Sequence, residues 1–508
     1  MSLQDAVRLL LVYQEVVGEF HPLVDLNDLI GRVRAWYTDI DTTSPDQQES
    51  PSQSTMLEAD EKFLIIHLAL AITLRAESTS STSEIEKTLQ HRFQDVLNAK
   101  LASPATGIKD VIAVLLAGIY YFFKDMLRSA WRMCGTAGRL LMELGLHNGD
   151  VSKHILTSDA QRQEAAIVVC SIIVLDRQWS AATGLPKNFQ DSSFDPPPVT
   201  LIVTPYLKAM MAFLAISDKF GDSISRAVKG EMDNDNDAYE LLNFQLEQWR
   251  KKAVGNYSLR ELRALLADPA LTPPSWAILL NLRAESVRTL VLRPCFFPDS
   301  DGETSKKQVH PALDLVENAI HVLFSLEANT DIYRKQHPYY QHLLTSSCAL
   351  NFLLISYVER KRSILTTLPP GAGSSLSSIY HMALSLVEKY ISSSPASRRL
   401  WRRLLEMGET LSSLGILSDD GATGNNQLTK NVNVQSESWK ANSSRLVQNP
   451  GNLRINHRNF TPPSDEYLQP PGHGGLPSNY GTGGTTTTDN SFQLGWAESL
   501  LFEWPSGD

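Results

Sequence analysis

From its first residues to about residue 410, the chain repeats apolar side chains at spacings of three and four, with no sustained alternation. That period lays one apolar stripe along a helix, whereas a half-buried strand would need a period of two. The pattern predicts an all-α fold, a large multi-helix domain over residues 1–412. With 508 residues, 42% of them hydrophobic, the chain can bury a sizeable core. Its longest apolar runs are Phe63 to Leu74, Val111 to Phe123 and Ala165 to Leu175. Each is shorter than the roughly 18–20 residues a membrane-spanning helix requires. They read as buried core helices, and Met1 opens into an amphipathic pattern rather than a secretory signal. A soluble intracellular protein without membrane partners is expected.

Helix punctuation supports this reading. Ser158 followed by Gln161 fits a capping box, and Leu144-Gly145-Leu146 fits a helix end with glycine in the left-handed conformation. Ser103-Pro104 and Thr272-Pro273 each offer an N-cap followed by proline at the first helical position. Three polar stretches, Asp39 to Thr55, Asp191 to Thr204 with its Pro196-Pro197-Pro198 run, and Pro298 to Gln308, read as loops. Beyond the helical domain, residues 413–488 are rich in Gly, Asn, Ser, Thr and Pro and read as a disordered polar tail. Residues 489–508 turn apolar again. Phe492, Trp496, Leu500 and Trp504 recur every four residues, with Leu501 beside them and acidic Glu498 and Glu503 between.

Charge and chemistry-bearing residues narrow the function classes. The formal net charge of −10 disfavours non-specific contact with phosphate backbones over the chain as a whole. The four cysteines, Cys134, Cys170, Cys295 and Cys348, form no CxxC pair, so they read as small buried residues rather than a zinc site or disulfide framework. Asp233 to Asp237 lacks the glycine and glutamate of a calcium loop and reads as a solvated acidic loop. Arg398-Arg399-Leu400-Trp401-Arg402-Arg403, the dense basic cluster, reads as the solvated face of an amphipathic helix. No nucleophile elbow, phosphate-binding glycine loop or paired-histidine metal motif occurs, so the sequence points to no enzyme and no cofactor.

One ordered set of motifs is more specific. Arg128-Ser129-Ala130-Trp131-Arg132 opens a segment that runs to Leu144-Gly145-Leu146-His147, with small Gly135, Ala137 and Gly138 able to let a neighbouring helix approach. A second helical segment ends Val174-Leu175-Asp176-Arg177 and is followed by Gly184-Leu185-Pro186 and the Asp195-Pro196 loop. This order over residues 128–198 resembles the central signature of the fungal-specific transcription factor domain, the middle homology region of fungal binuclear zinc-cluster regulators. Phe20-His21-Pro22, Leu292-Arg293-Pro294 and Ser394-Pro395 to Trp401 are similar to the family's opening, later and closing motifs. Leu185 stands where arginine is usual, and Cys170 where tryptophan is usual.

The resemblance implies a nuclear, non-catalytic regulator of RNA polymerase II transcription. Its signature residues are Arg128, Trp131, Gly145, His147, Asp176, Arg177, Gly184 and Pro186, and packing is the simplest role for them. It also implies DNA binding, and zinc, only through a six-cysteine module that these four cysteines cannot build. Met1-Ser2-Leu3 already lies in the helical pattern. The chain is therefore expected either to begin downstream of that module or to work without it. Homodimers or heterodimers with related regulators are implied as well. The terminal stripe from Phe492 to Trp504 is a candidate activation segment, folding onto a coactivator or the transcription machinery. The other reading is a stand-alone helical interaction or small-molecule-sensing module that modulates a full-length regulator.

Overall fold

The computed structural model describes residues 1–42, 53–78, 84–228, 236–255, 259–268, 271–297, 303–362 and 372–417. Among them the fold is all-α, with no strand. The tail over 413–488 lies almost wholly, and the segment over 489–508 entirely, outside the described residues. So do the side chains of Asp233 to Asp237.

The N-terminal half is assembled from α1 (Leu3–Tyr13), α2 (Leu26–Thr42), α3 (Gln53–Glu77), α4 (Glu84–Ala102), α5 (Ile108–Phe123), α6 (Leu127–Glu143), α7 (Gly149–Ile155) and α8 (Asp159–Thr183). Its centre is α5, buried at nearly every position from Val111 to Tyr120 and packed against α3, α4, α6 and α8. A helix apolar on all sides has no solvent face and must be surrounded. It ends at Lys124–Asp125, where Asp125 takes a left-handed φ of 58° and turns the chain directly into α6. The Asp125 carboxylate accepts from Ser394 Oγ and Ala396 N, both at 3.0 Å. One turn residue thus satisfies the start of a helix 270 residues away, where a negative charge also suits the helix dipole.

The C-terminal half comprises α9 (Pro205–Val228), α10 (Asn236–Val254), α11 (Leu259–Leu265), α12 (Ser275–Leu292), α13 (Glu303–Asn329), α14 (Ile332–Lys335), α15 (His337–Arg360), α16 (Ala372–Glu388) and α17 (Pro395–Ser413). Here α15 occupies the middle, against α12, α13 and α17, and it also reaches α5. In α17, Leu400, Trp401 and Leu404 are buried while Arg398 and Arg402 are exposed, so the basic run is a solvated helix face.

Several predicted boundaries agree and several move. Ser158 and Gln161 close the capping box at the start of α8. At the end of α6, Leu146 N donates to Leu141 O and Gly145 N to Met142 O, with Gly145 at φ +72°. Ser103-Pro104, by contrast, starts no helix. Ser103 Oγ bonds back to Ala99 O, and α5 begins only after Thr106, which donates to Asp110. Thr272-Pro273 also falls short, since α12 opens at Ser275 behind Pro274. A residue preceding proline is disfavoured in helical geometry, which keeps Pro273 outside. The loops are shorter than predicted: α2 extends to Thr42, α3 starts at Gln53, α13 starts at Glu303, and Asp191–Ser193 and Val199–Leu201 make 3-10 turns. Among the described residues, α8 alone is long and apolar enough to cross a bilayer, but 72% of that stretch is buried inside the fold, as in a core helix.

An ionic contact ties α10 to α12. Glu247 accepts from Arg250 on its own helix and from Arg288 on α12 at 3.1 Å. Arg250 first, and then Arg288, pull its carboxyl from 4.5 down to about 2, against the burial that raises it. A carboxyl depressed on folding contributes stability that is complete above its unfolded value and fades as pH falls toward the folded one. The unfolding midpoint should therefore drop more steeply for the native chain than for Glu247→Gln between about pH 5 and about pH 2. Thermal unfolding followed by circular dichroism at graded pH checks this, and parallel curves would contradict it.

Candidate functional site

Two features stand out: a polar knot at the C-terminal end of α8, and a pocket beside it.

The knot forms because α8 ends at Thr183 and Gly184, in a left-handed conformation at φ +69°, turns the chain back across α6. The returning segment, Gly184 to Gln190, forms no regular element, so its backbone groups need partners from outside it. Asp176, fully buried, supplies one. Its Oδ1 accepts from Asn188 N at 3.0 Å and Asn188 Nδ2 at 2.8 Å, while Oδ2 accepts from Arg177 at 2.6 Å. Arg177 also pairs with Asp191, which is 60% exposed. Trp131 Nε1 donates to Pro186 O at 3.1 Å and to Ser180 Oγ at 3.2 Å, and its own carbonyl accepts from Asn188 Nδ2. Burial pushes the Asp176 carboxyl above its ordinary value, with Arg177 and Asn188 opposing. The arrangement is a set of mutual contacts among α6, α8 and the returning loop.

The structure thus brings Trp131, Asp176, Arg177 and Pro186 together, with Gly184 as the turn that makes this possible. Gly145 and His147 sit at the other end of α6, where His147 O accepts from Asp195 N at 2.9 Å and Asp195 Oδ2 accepts from Gly149 N at 2.8 Å. Arg128, exposed on the first turn of α6, stays out of the knot. Phe492, Trp496, Leu500, Leu501 and Trp504 lie outside the described residues. The sequence reading missed Asn188, Ser180 and Asp191, because no local spacing marks a loop residue that bonds back onto two helices. It also did not foresee the loop side chains over Gly135 and Gly138. A Cβ on Gly135 would meet Asn188 Oδ1 at 2.3 Å, and one on Gly138 would meet Phe189 Cζ at 2.2 Å. At these two glycines the loop's side chains take up the space.

Three residues beyond Asp176, Trp179 lines a pocket of about 150 Å³. One wall comes from the ends of α3 and α5 and from α8. The other comes from α12, α14, α15 and the start of α17, including Arg283, His337 and Tyr339. The pocket therefore lies on the seam between the two halves. None of its residues was singled out in the sequence as a site, since its walls are assembled from segments some 200 residues apart.

If Asp176 holds the knot, removing its carboxylate should cost far more than removing the outer partner of Arg177. Asp176→Ala is expected to destabilise the chain by about 3–5 kcal/mol, as loss of one partner of a buried pair does. Asp191→Ala should cost about 1 kcal/mol or less. Urea denaturation of both variants measures the difference, and equal losses would refute this assignment.

Among comparisons with known proteins, residues 34–247 match the family model described as the fungal specific transcription factor domain. No curated protein and no solved structure matches. The matched span runs from within α2 into α10 and includes α6, α8 and the whole knot, while the second wall of the pocket lies beyond it. Over residues 34–247 the chain is similar to the fungal specific transcription factor domain.

Proposed function

We propose that the protein is a nuclear, non-catalytic regulator of RNA polymerase II transcription. In this reading its helical domain is the regulatory part of a zinc-cluster type of factor. The observation that carries this is the family match over residues 34–247, centred on the Trp131–Asp176–Arg177–Pro186 knot. DNA contact is assigned to a zinc-cluster module outside these residues, because the chain's four cysteines are all buried and dispersed in the helical domain. Related regulators are the proposed partners for homo- or heterodimers. The segment from Phe492 to Trp504, with its aromatic stripe and interleaved glutamates, is the proposed contact with a coactivator.

Joining residues 1–508 to a heterologous DNA-binding domain should change the output of a reporter carrying that domain's site. No change in either direction, with the fusion confirmed in the nucleus, would defeat the regulatory reading. The terminal segment is tested separately by fusing residues 489–508 alone. Activation is expected, with loss of most of it on Trp496→Ala and Leu500→Ala, since removing an anchor from a helix seated in a groove typically costs 2 kcal/mol or more, roughly a factor of 30. Equal output from the substituted segment would rule it out as the contact.

The pocket on the seam favours a second reading, a small-molecule-sensing module that tunes a full-length partner. The two readings differ in what the reporter does. A sensing module would leave it silent when tethered alone and change it only when a full-length regulator is co-expressed.

A further inference from the structure

The pocket's lining is strongly unbalanced in charge. The lining holds Arg75, Arg283, Arg293, Arg334, Lys335 and Arg399 and one carboxylate, Asp125, and Arg334 pairs with Asp331 at 4.0 Å. The Asp125 carboxylate is already engaged by Ser394 and Ala396 at the start of α17. Lys335 is neutralised nearby by Glu15 at 2.6 Å and Asp331 at 2.8 Å. Arg75 is not: it is held by two neutral carbonyl oxygens, Phe123 O at 3.4 Å and Ser393 O at 3.2 Å. A positive concave surface with low-dielectric walls concentrates its field on whatever enters.

A second observation is independent of charge. Trp179 Nε1, Arg283 Nε and Gln341 Nε2 are buried and donate to no acceptor in the fold, and all three side chains line this pocket. Trp179 is 1% exposed and Gln341 5%. The Gln341 amide is oriented by its oxygen, which accepts from Ser397 Oγ at 3.0 Å, so its nitrogen is the end left over. Indole, guanidinium and amide N–H groups can only donate, and an orphaned buried donor is costly. All three belong to side chains of this lining, so an oxygen acceptor reaching them would relieve that cost.

The two imidazoles of the lining add no charge. Burial, with Arg75 beside His337 and Arg283 and Arg293 beside His342, pushes both down to about 3. The apolar part of the lining is chiefly aromatic, with Phe122, Phe123, Trp179 and Tyr339, beside small polar residues such as Ser346 and Ser393. Its volume of about 150 Å³ is on the order of a cavity that accepts a benzene-sized ligand.

The geometry points to this pocket as a binding site for a small organic carboxylate with an apolar, ring-sized body. Arg75 and Arg283 supply the compensating charge, Trp179 and Gln341 the neutral donors, and the aromatic wall receives the body. Because it draws on α3, α5 and α8 on one side and α12, α15 and α17 on the other, such a ligand would bridge both halves of the domain. The site rests on the pocket alone. It is read as binding to the purified chain, so its failure leaves the transcription reading untouched, and a silent reporter leaves the site untouched.

The test is calorimetric titration of the full chain with a graded set of aromatic monocarboxylates, from benzoate to naphthalene-1-acetate, each beside its own carboxamide. At least one carboxylate should bind at least about tenfold more tightly than its amide, as a charge-assisted contact requires. Arg283→Gln should remove that preference, and Trp179→Phe, which keeps a ring and deletes the N–H, should weaken the same ligand severalfold. Arg402→Gln, on the exposed face of α17, should leave binding as it was. Helical circular dichroism verifies that each variant is folded. Should Arg283→Gln not fold, Trp179→Phe and the acid–amide contrast on the native chain decide. Acids and amides binding alike, no acid binding more tightly than about 1 mM, or a preference that survives the folded variants would each overturn the assignment.

Discussion

The buried carboxylate of Asp176 sets the geometry on which the N-terminal half depends. A charged group with no solvent exposure is tolerated only when its lone pairs are occupied, and here a guanidinium, a backbone amide and a side-chain amide occupy them. The two Asn188 donors belong to the loop after α8, so filling the acceptors of Asp176 folds that loop back onto α6. Gly135 and Gly138 leave the room in which Asn188 and Phe189 come to rest. The cost of ionising Asp176 in the interior is visible in its raised carboxyl, and the contacts around it offset much of that cost.

The same helix end connects the knot to the pocket. Asp176, Trp179 and Ser180 lie within one turn and a little more of α8. Ser180 joins the knot through Trp131 and Pro186, while Trp179 faces the pocket beside Phe122, 5.7 Å from it between ring centroids. Asp125 makes a comparable link, closing α5 on one side and capping α17 on the other, both against the pocket.

A ligand influences such a domain only through its different affinity for the arrangements the domain can adopt. A pocket within one helical bundle would offer little leverage. The seam pocket draws its walls from both halves of one compact unit, so an occupant would touch α8 and α15 together. The matched family span covers one wall and stops before the other. The chemistry of the second wall, with Arg283, Gln341 and Tyr339, is therefore carried by residues outside that span.

The sequence by itself determined what depends on neighbours along the chain. Apolar period gave the all-α class, serine with glutamine three residues on gave the start of α8, and glycine between leucines gave the end of α6. The ordered motifs around Trp131 and Asp176–Arg177 were also legible, through their resemblance to a family signature, although the contacts that join them span about fifty residues. Tertiary structure decided the rest. It set whether Ser103 would cap the next helix or finish the last one, which side chains would fill the space over Gly135 and Gly138, and that Asn188 would bind Asp176 and the carbonyl of Trp131. Above all it decided that cations from Arg75 to Arg399 and the unpartnered donors of Trp179 and Gln341 would share one pocket. Periodicity records which face of a helix is buried and carries no information about which distant helix buries it. A site built from several helices exists only once their packing is settled.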